Sequence, residues 1–81
     1  MKNMLHLVYE DPIDKKMKTQ HFITWRALTS YIWDNKIHEC QVSNDAGDAI
    51  VRVRYIPTRD KYKLELYSGF TIPASFISQF I

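Results

Sequence analysis

The hydropathy of this chain changes period twice, and those two changes constrain its fold more than any other feature. Met4 to Tyr9 alternates, with Leu5, Leu7 and Tyr9 to one side and Met4, His6 and Val8 to the other. That is the period of a strand. Asp11-Pro12-Ile13-Asp14-Lys15 reads as a turn, because proline fixes φ and aspartate side chains bond nearby backbone N–H groups. Met17 to Ile23 alternates again, so residues 4–23 read as a hairpin. Pairing Tyr9 with Met17 puts Leu5, Leu7, Tyr9 and Met17 on one face and His6, Lys18 and Gln20 on the other.

At Thr24 the period becomes helical. Trp25, Leu28 and Ile32 form an apolar stripe that Ala27 and Tyr31 widen, and the Thr24 hydroxyl is placed to cap the first turn. The spacing predicts a helix over about 24–36. Alternation then returns in His38–Asn44, Ala49–Ile56 and Lys61–Ser68, separated by Asp45-Ala46-Gly47-Asp48 and Pro57-Thr58-Arg59-Asp60. Both separators read as four-residue hairpin loops, which makes this half an antiparallel meander. Pro73 suits the first turn of a short closing helix over about 73–80. The expected fold is α+β: a ββαβββ(α) antiparallel sheet packed against one amphipathic helix, with a short C-terminal helix. This hairpin–helix–meander order is similar to that of β-grasp topologies, without a motif specific to one family.

Eighty-one residues suffice for a single domain, 1–81. The chain is 46% hydrophobic and holds only two glycines and three prolines, which excludes a disordered or linker-like polypeptide. One cysteine excludes an intramolecular disulfide framework. His6, Tyr9, Glu10 and Asp11 interrupt the N-terminal apolar run, so neither an export signal nor a membrane span is expected. The expected compartment is the cytoplasm. Residues 69–81 carry no charge but six large apolar side chains: Phe70, Ile72, Phe76, Ile77, Phe80 and Ile81. Such a segment has to be buried, by closing the sandwich or by docking on a second copy, so a monomer or a homodimer through this segment is expected.

Chemistry is sparse. His38 and Cys40 share a strand face, and His6 and His21 supply further nitrogen, but no closely spaced zinc-ligand pattern is present. Period-two spacing sets His38 and Cys40 about 7 Å apart, too far for a nucleophile and its base. Cys40 reads as a small buried hydrophobe. Asp11, Asp14, Asp45 and Asp48 all fall in turns, where aspartate has a structural reason to be. A chain this small also has little room for a ligand pocket. Neither catalysis nor a cofactor or metal is expected.

Net charge is only +2, from eleven basic and nine acidic residues, so attention falls on local patches. Arg52, Arg54, Arg59, Lys61 and Lys63 crowd one hairpin, with Tyr55, Tyr62 and Tyr67 nearby. If Ile56 faces Lys61, then Tyr55 and Tyr62 turn inward with Val51, Val53, Leu64 and Leu66, and only Tyr67 shares the charged side. If Asn44 faces Ala49, Glu39 lies opposite Arg54, while Glu65 opposes Arg52. Such cross-strand pairs neutralise both arginines in part and leave Arg59, Lys61 and Lys63 unpaired. Trp33 lies about 80° from Trp25 around the helix, at the border of the stripe, where the terminal segment is expected to cover it. The reading that follows is a non-catalytic protein-binding module, a small regulator or stoichiometric inhibitor of a size that suits mobile elements. Its expected contacts are Trp33, Arg59, Lys61, Lys63 and Tyr67. The alternative is a nucleic-acid-binding domain using Arg52, Arg54, Lys61, Lys63 and Tyr67, in which bases stack on tyrosine while cations hold phosphates.

Overall fold

The computed structural model describes residues 4–67 and 69–80; the expectations that touch Met1 to Asn3, Ser68 and Ile81 lie outside the described residues. Seven elements follow in order: β1 (Leu5–Glu10), β2 (Met17–Phe22), α1 (Trp25–Asp34), β3 (Glu39–Ser43), β4 (Ala49–Ile56), β5 (Lys61–Leu66) and α2 (Ala74–Phe80). The five strands form one sheet in the order β2-β1-β3-β4-β5, and every pairing is antiparallel. The α+β architecture is the one the hydropathy periods predict. A sheet antiparallel throughout lacks the parallel central pair of a β-grasp fold, so that likeness ends at the order of elements.

Both helices are bounded as their local chemistry requires. The Thr24 hydroxyl accepts from the Ala27 N–H at 3.2 Å, satisfying one free donor of the first turn. At the other end Lys36 takes φ 51°, its N–H donating to the Trp33 carbonyl while the Ile37 N–H donates to that of Ile32. These paired bonds close the helix in a Schellman motif, and the apolar contact expected of it joins Ile37 to Ile32, both fully buried. Pro73 accepts from the N–H groups of Phe76 and Ile77 and so opens α2.

The core lies between the sheet and the two helices. Leu7, Tyr9, Cys40, Val42, Val51 and Val53 point up from three strands into Leu28 and Ile32 of α1 and into Phe76 and Phe80 of α2. Each full burial of this kind stabilises by about 1.5–3 kcal/mol. α1 lies over the β1–β2 end, and α2 lies over β5 and against α1. Phe76 and Phe80 of the terminal segment therefore close the sandwich on its own sheet, with Ile72 and Ile77 half-buried, whereas Phe70, expected to be buried with them, stays exposed. Among the described residues, no element packs on the opposite face.

Two registers differ from expectation. β1 and β2 pair Tyr9 with Lys18 and Glu10 with Met17, not Tyr9 with Met17. The cause is the loop. The Asp11 N–H donates to the Lys16 carbonyl, Lys15 takes φ 61°, and the Asp11 and Asp14 carboxylates accept from the N–H groups of Ile13 and Lys16. This builds a four-residue connection over 12–15 where a longer one was expected. A shift of one residue exchanges the faces of a strand: Lys18, Gln20 and Phe22 turn to the helix side, and Met17, Thr19 and His21 turn to the open face. In β3–β4, Glu39 to Val42 pair as expected, but a bulge then sets Ser43, not Asn44, opposite Ala49. The inserted residue is Ile50, which is buried.

Candidate functional site

The open face divides into a cationic half on β4–β5 and a histidine-bearing end on β1–β2. In the cationic half, Ile56 faces Lys61, Arg54 faces Lys63 and Arg52 faces Glu65, as the sequence predicts. The Arg52 guanidinium donates to Glu39 Oε1 at 2.6 Å, and Arg54 Nη2 stands 3.5 Å from the same oxygen. Glu39 thus joins both arginines, its carboxyl held below the ordinary range by Arg52 first and Arg54 second. The expected Arg52–Glu65 pair does not form an ion pair, because Arg52 turns to Glu39 instead. Among the described residues, Arg59, Lys61 and Lys63 have no carboxylate within ion-pair distance.

The proposed contact residues do not form one surface. Arg59 lies in the β4–β5 turn, Lys61 and Lys63 stand on the open side of β5, and Tyr67 continues that side with its N–H bonded to the Ile50 carbonyl. Trp33 belongs to the helix layer across the sheet. Its ring stacks on Phe80 at 5.4 Å and meets the edge of Tyr62 at 5.1 Å, yet it remains 43% exposed. Terminal cover of Trp33 is therefore present but partial. Tyr55 and Tyr62 turn inward as expected: the Tyr55 hydroxyl donates to Asp60, and that of Tyr62 to the Ile37 carbonyl.

Cys40 lies within the core, and burial, aided by the negative charge of Glu39, pushes its thiol from an ordinary 9.0 up to about 12. A thiol so placed is protonated and inert at neutral pH. His38 stacks on Tyr55 at 4.5 Å. The described residues do carry surface depressions of about 390 to 430 Å3, more room than the chain length suggests, but they lie on the outside of the packed core. One runs between α1 and α2 beside Trp25 and Trp33, and another crosses the open face between Met17 and Arg52.

Sequence reasoning missed a third arrangement. His6 and His21 oppose each other across β1 and β2, with 2.7 Å between their Nδ1 atoms. His6 Nε2 stands 2.7 Å from Asp45 Oδ1, and Asp45 Oδ2 accepts from the Met4 N–H at 3.1 Å. The Tyr9–Met17 register sets His21 on the opposite side of the hairpin from His6, so this cluster was invisible in it. Its only sequence signal is the parity of two histidines about a loop whose effective length is decided by hydrogen bonds. Among the described residues, no three His, Cys, Asp or Glu side chains converge as a set of metal ligands.

No family model, no curated protein and no solved structure matches this chain. Among the described residues, no helix is long and apolar enough to cross a membrane.

Proposed function

We propose that the protein is a non-catalytic binding module whose partner is a protein bearing an acidic surface. The observation that carries this reading is the row Arg59, Lys61 and Lys63 on the exposed margin of the sheet, with no carboxylate against any of them among the described residues. Exposed cations that are not neutralised within the chain steer an acidic partner and set its register. β5 is also an edge strand, with backbone groups free to accept a partner's strand beside these cations. Tyr67 supplies an amphipathic ring on the same side. The inert Cys40 removes the most reactive nucleophile type from consideration and supports a binding role over a catalytic one.

The test is recovery of partners from host lysate by the tagged full chain, with and without nuclease, beside a Lys61→Glu/Lys63→Glu variant. A stoichiometric protein that survives nuclease and is recovered at least tenfold less by the variant is expected. Recovery that collapses with nuclease would instead favour the nucleic-acid reading through Arg52, Arg54, Lys61, Lys63 and Tyr67, and its affinity should then fall steeply with salt. Equal recovery by the variant would remove this face from the reading.

A further inference from the structure

Strand β5 ends the sheet on one side, and among the described residues no strand lies beyond it. Its register with β4 decides which of its backbone groups face outward. The Tyr67 N–H donates to the Ile50 carbonyl, which makes these two opposing residues a hydrogen-bonded pair. Hydrogen-bonded and non-hydrogen-bonded pairs alternate along an antiparallel ladder. Lys61, Lys63 and Glu65 therefore turn their backbone groups to β4, and Tyr62, Leu64 and Leu66 turn theirs to the open edge. After Tyr67 the chain returns over the middle of the sheet, where Phe70 and Thr71 stand beside Met4, Leu5 and Ile50, so among the described residues it does not cover that edge. Leu66 is 53% exposed there. Neither Lys63 nor Glu65 has an opposite charge within ion-pair distance among the described residues.

We propose that this edge binds β5 of a second copy of the chain, antiparallel, about a two-fold axis that passes through Leu64. The charges select both the occupant and the register. An axis perpendicular to the sheet keeps the open faces of the two copies on one side and sets each strand residue opposite its mirror position. Centred on Leu64, the pairing puts Lys63 opposite Glu65 of the second copy and Glu65 opposite its Lys63, so two opposite-charge pairs form and no like charges meet. Centred on Lys63, it matches Lys61 with Glu65 but brings two lysines face to face at the axis and sets Leu66 against Asp60. Centred on Glu65, it opposes two glutamates. The Leu64 register also agrees with the backbone. Tyr62 with Leu66, and Leu64 with its own copy, become the hydrogen-bonded pairs and use the outward groups, while Lys63 and Glu65 become a non-hydrogen-bonded pair, in which side chains approach most closely. On the helix side the exposed Leu66 meets the Tyr62 ring of the second copy. Lysines on an edge strand oppose indiscriminate pairing; here they leave one register favourable. The other edge, β2, offers no such match, because Lys18 is held by Asp11 and Asp14 of its own chain. The dimer does not rest on the acidic-partner reading: it takes the backbone edge and Lys63, and Arg59 and Lys61 stay available on the open face.

The test is sedimentation equilibrium of the full chain from about 10 μM to about 1 mM, the range in which a small interface dissociates. It is joined to intermolecular nuclear Overhauser effects in a mixture of labelled and unlabelled chains. Twice the mass of one chain is expected at the upper concentrations, with an Hα–Hα contact between Lys63 of one copy and Glu65 of the other. Glu65→Lys sets lysine opposite lysine, and Lys63→Glu sets carboxylate opposite carboxylate. Each should weaken the dimer at least about tenfold, because the mismatch occurs on both sides of the axis. The exchange Lys63→Glu/Glu65→Lys should restore it. Circular dichroism verifies that each variant is folded, and the contact in the wild type needs no variant. A monomer throughout, a dimer that folded Glu65→Lys leaves unchanged, a folded exchange that does not restore it, or contacts of another register would overturn the proposal. Glu65→Lys keeps Arg59, Lys61 and Lys63, so its recovery of an acidic protein from lysate reports on that reading separately from the dimer.

Discussion

Cys40 shows how a single side chain takes its chemistry from its surroundings. Its ordinary thiol, sunk between sheet and helices, is pushed up to about 12 by desolvation and then by Glu39. The raised value means that the native state holds its proton where the unfolded chain has lost it. Its contribution to stability is complete below pH 9 and is lost as pH climbs toward 12, at up to about 1.4 kcal/mol per pH unit. Urea unfolding of wild type and Cys40→Ala should therefore show a stability difference that is constant from pH 6 to 8 and shrinks with that slope between pH 9 and 11. A difference independent of pH would mean that Cys40 ionises as readily folded as unfolded. The burial of Cys40 was legible from the alternation of its strand. The facing of His21 was not, since parity assigns a face only once the register is known.

Among the elements, α1 carries its own start and stop signals. The Thr24 cap was legible because it is a matter of side-chain chemistry within one turn. The end was less so, because position 36 has the left-handed φ that usually selects glycine and holds a lysine instead. The buried contact of Ile37 with the helix enforces that conformation. A left-handed non-glycine residue costs about 1–2 kcal/mol, and the greater freedom of unfolded glycine offsets part of the gain on replacing it. Lys36→Gly is expected to stabilise the protein by about 0.5–1 kcal/mol, measured as a shift of the urea midpoint at constant slope. A destabilised variant would show that the lysine side chain makes a contribution of its own. The β4–β5 hairpin is the opposite case: its register was legible to the residue, because a four-residue loop joins strands whose apolar sets match only one way.

For the molecule as a whole, the decisive event is the return of the C-terminal segment over the sheet. Phe76 is fully buried, its ring 4.8 Å from Trp25 and 4.9 Å from Phe80, so it ties α2 to α1 and to the core together. Truncation of such a ring costs about 3–5 kcal/mol. A domain of this size has a total stability of only about 4–12 kcal/mol. Phe76→Ala should thus lose about a quarter or more of the stability measured by denaturant, with the Trp25 fluorescence shifting as its neighbour is removed. A loss below 1 kcal/mol would mean that α2 is not integral to the core. The same closure covers the helix side, while among the described residues no element packs on the other side of the sheet.

The order of elements, the helix cap, the pairing of Glu39 to Val42 with β4 and of β4 with β5, and the burial of Phe76 and Phe80 were determined by the sequence alone, because each depends on periodicity or on bonds within a few residues. Three features were decided only by the tertiary structure. The loop over 12–15 closes through hydrogen bonds that composition does not count, and these brought His21 to the side of His6. The strand order set Asp45, 39 residues distant in sequence, against His6. The packing of α1 and α2 on one face placed Trp33 across the sheet from Lys61 and Lys63, dividing a set of residues that looked like one surface. In each case the physical reason is the same: contacts between distant segments depend on register and layering, which arise only when all the strands are paired.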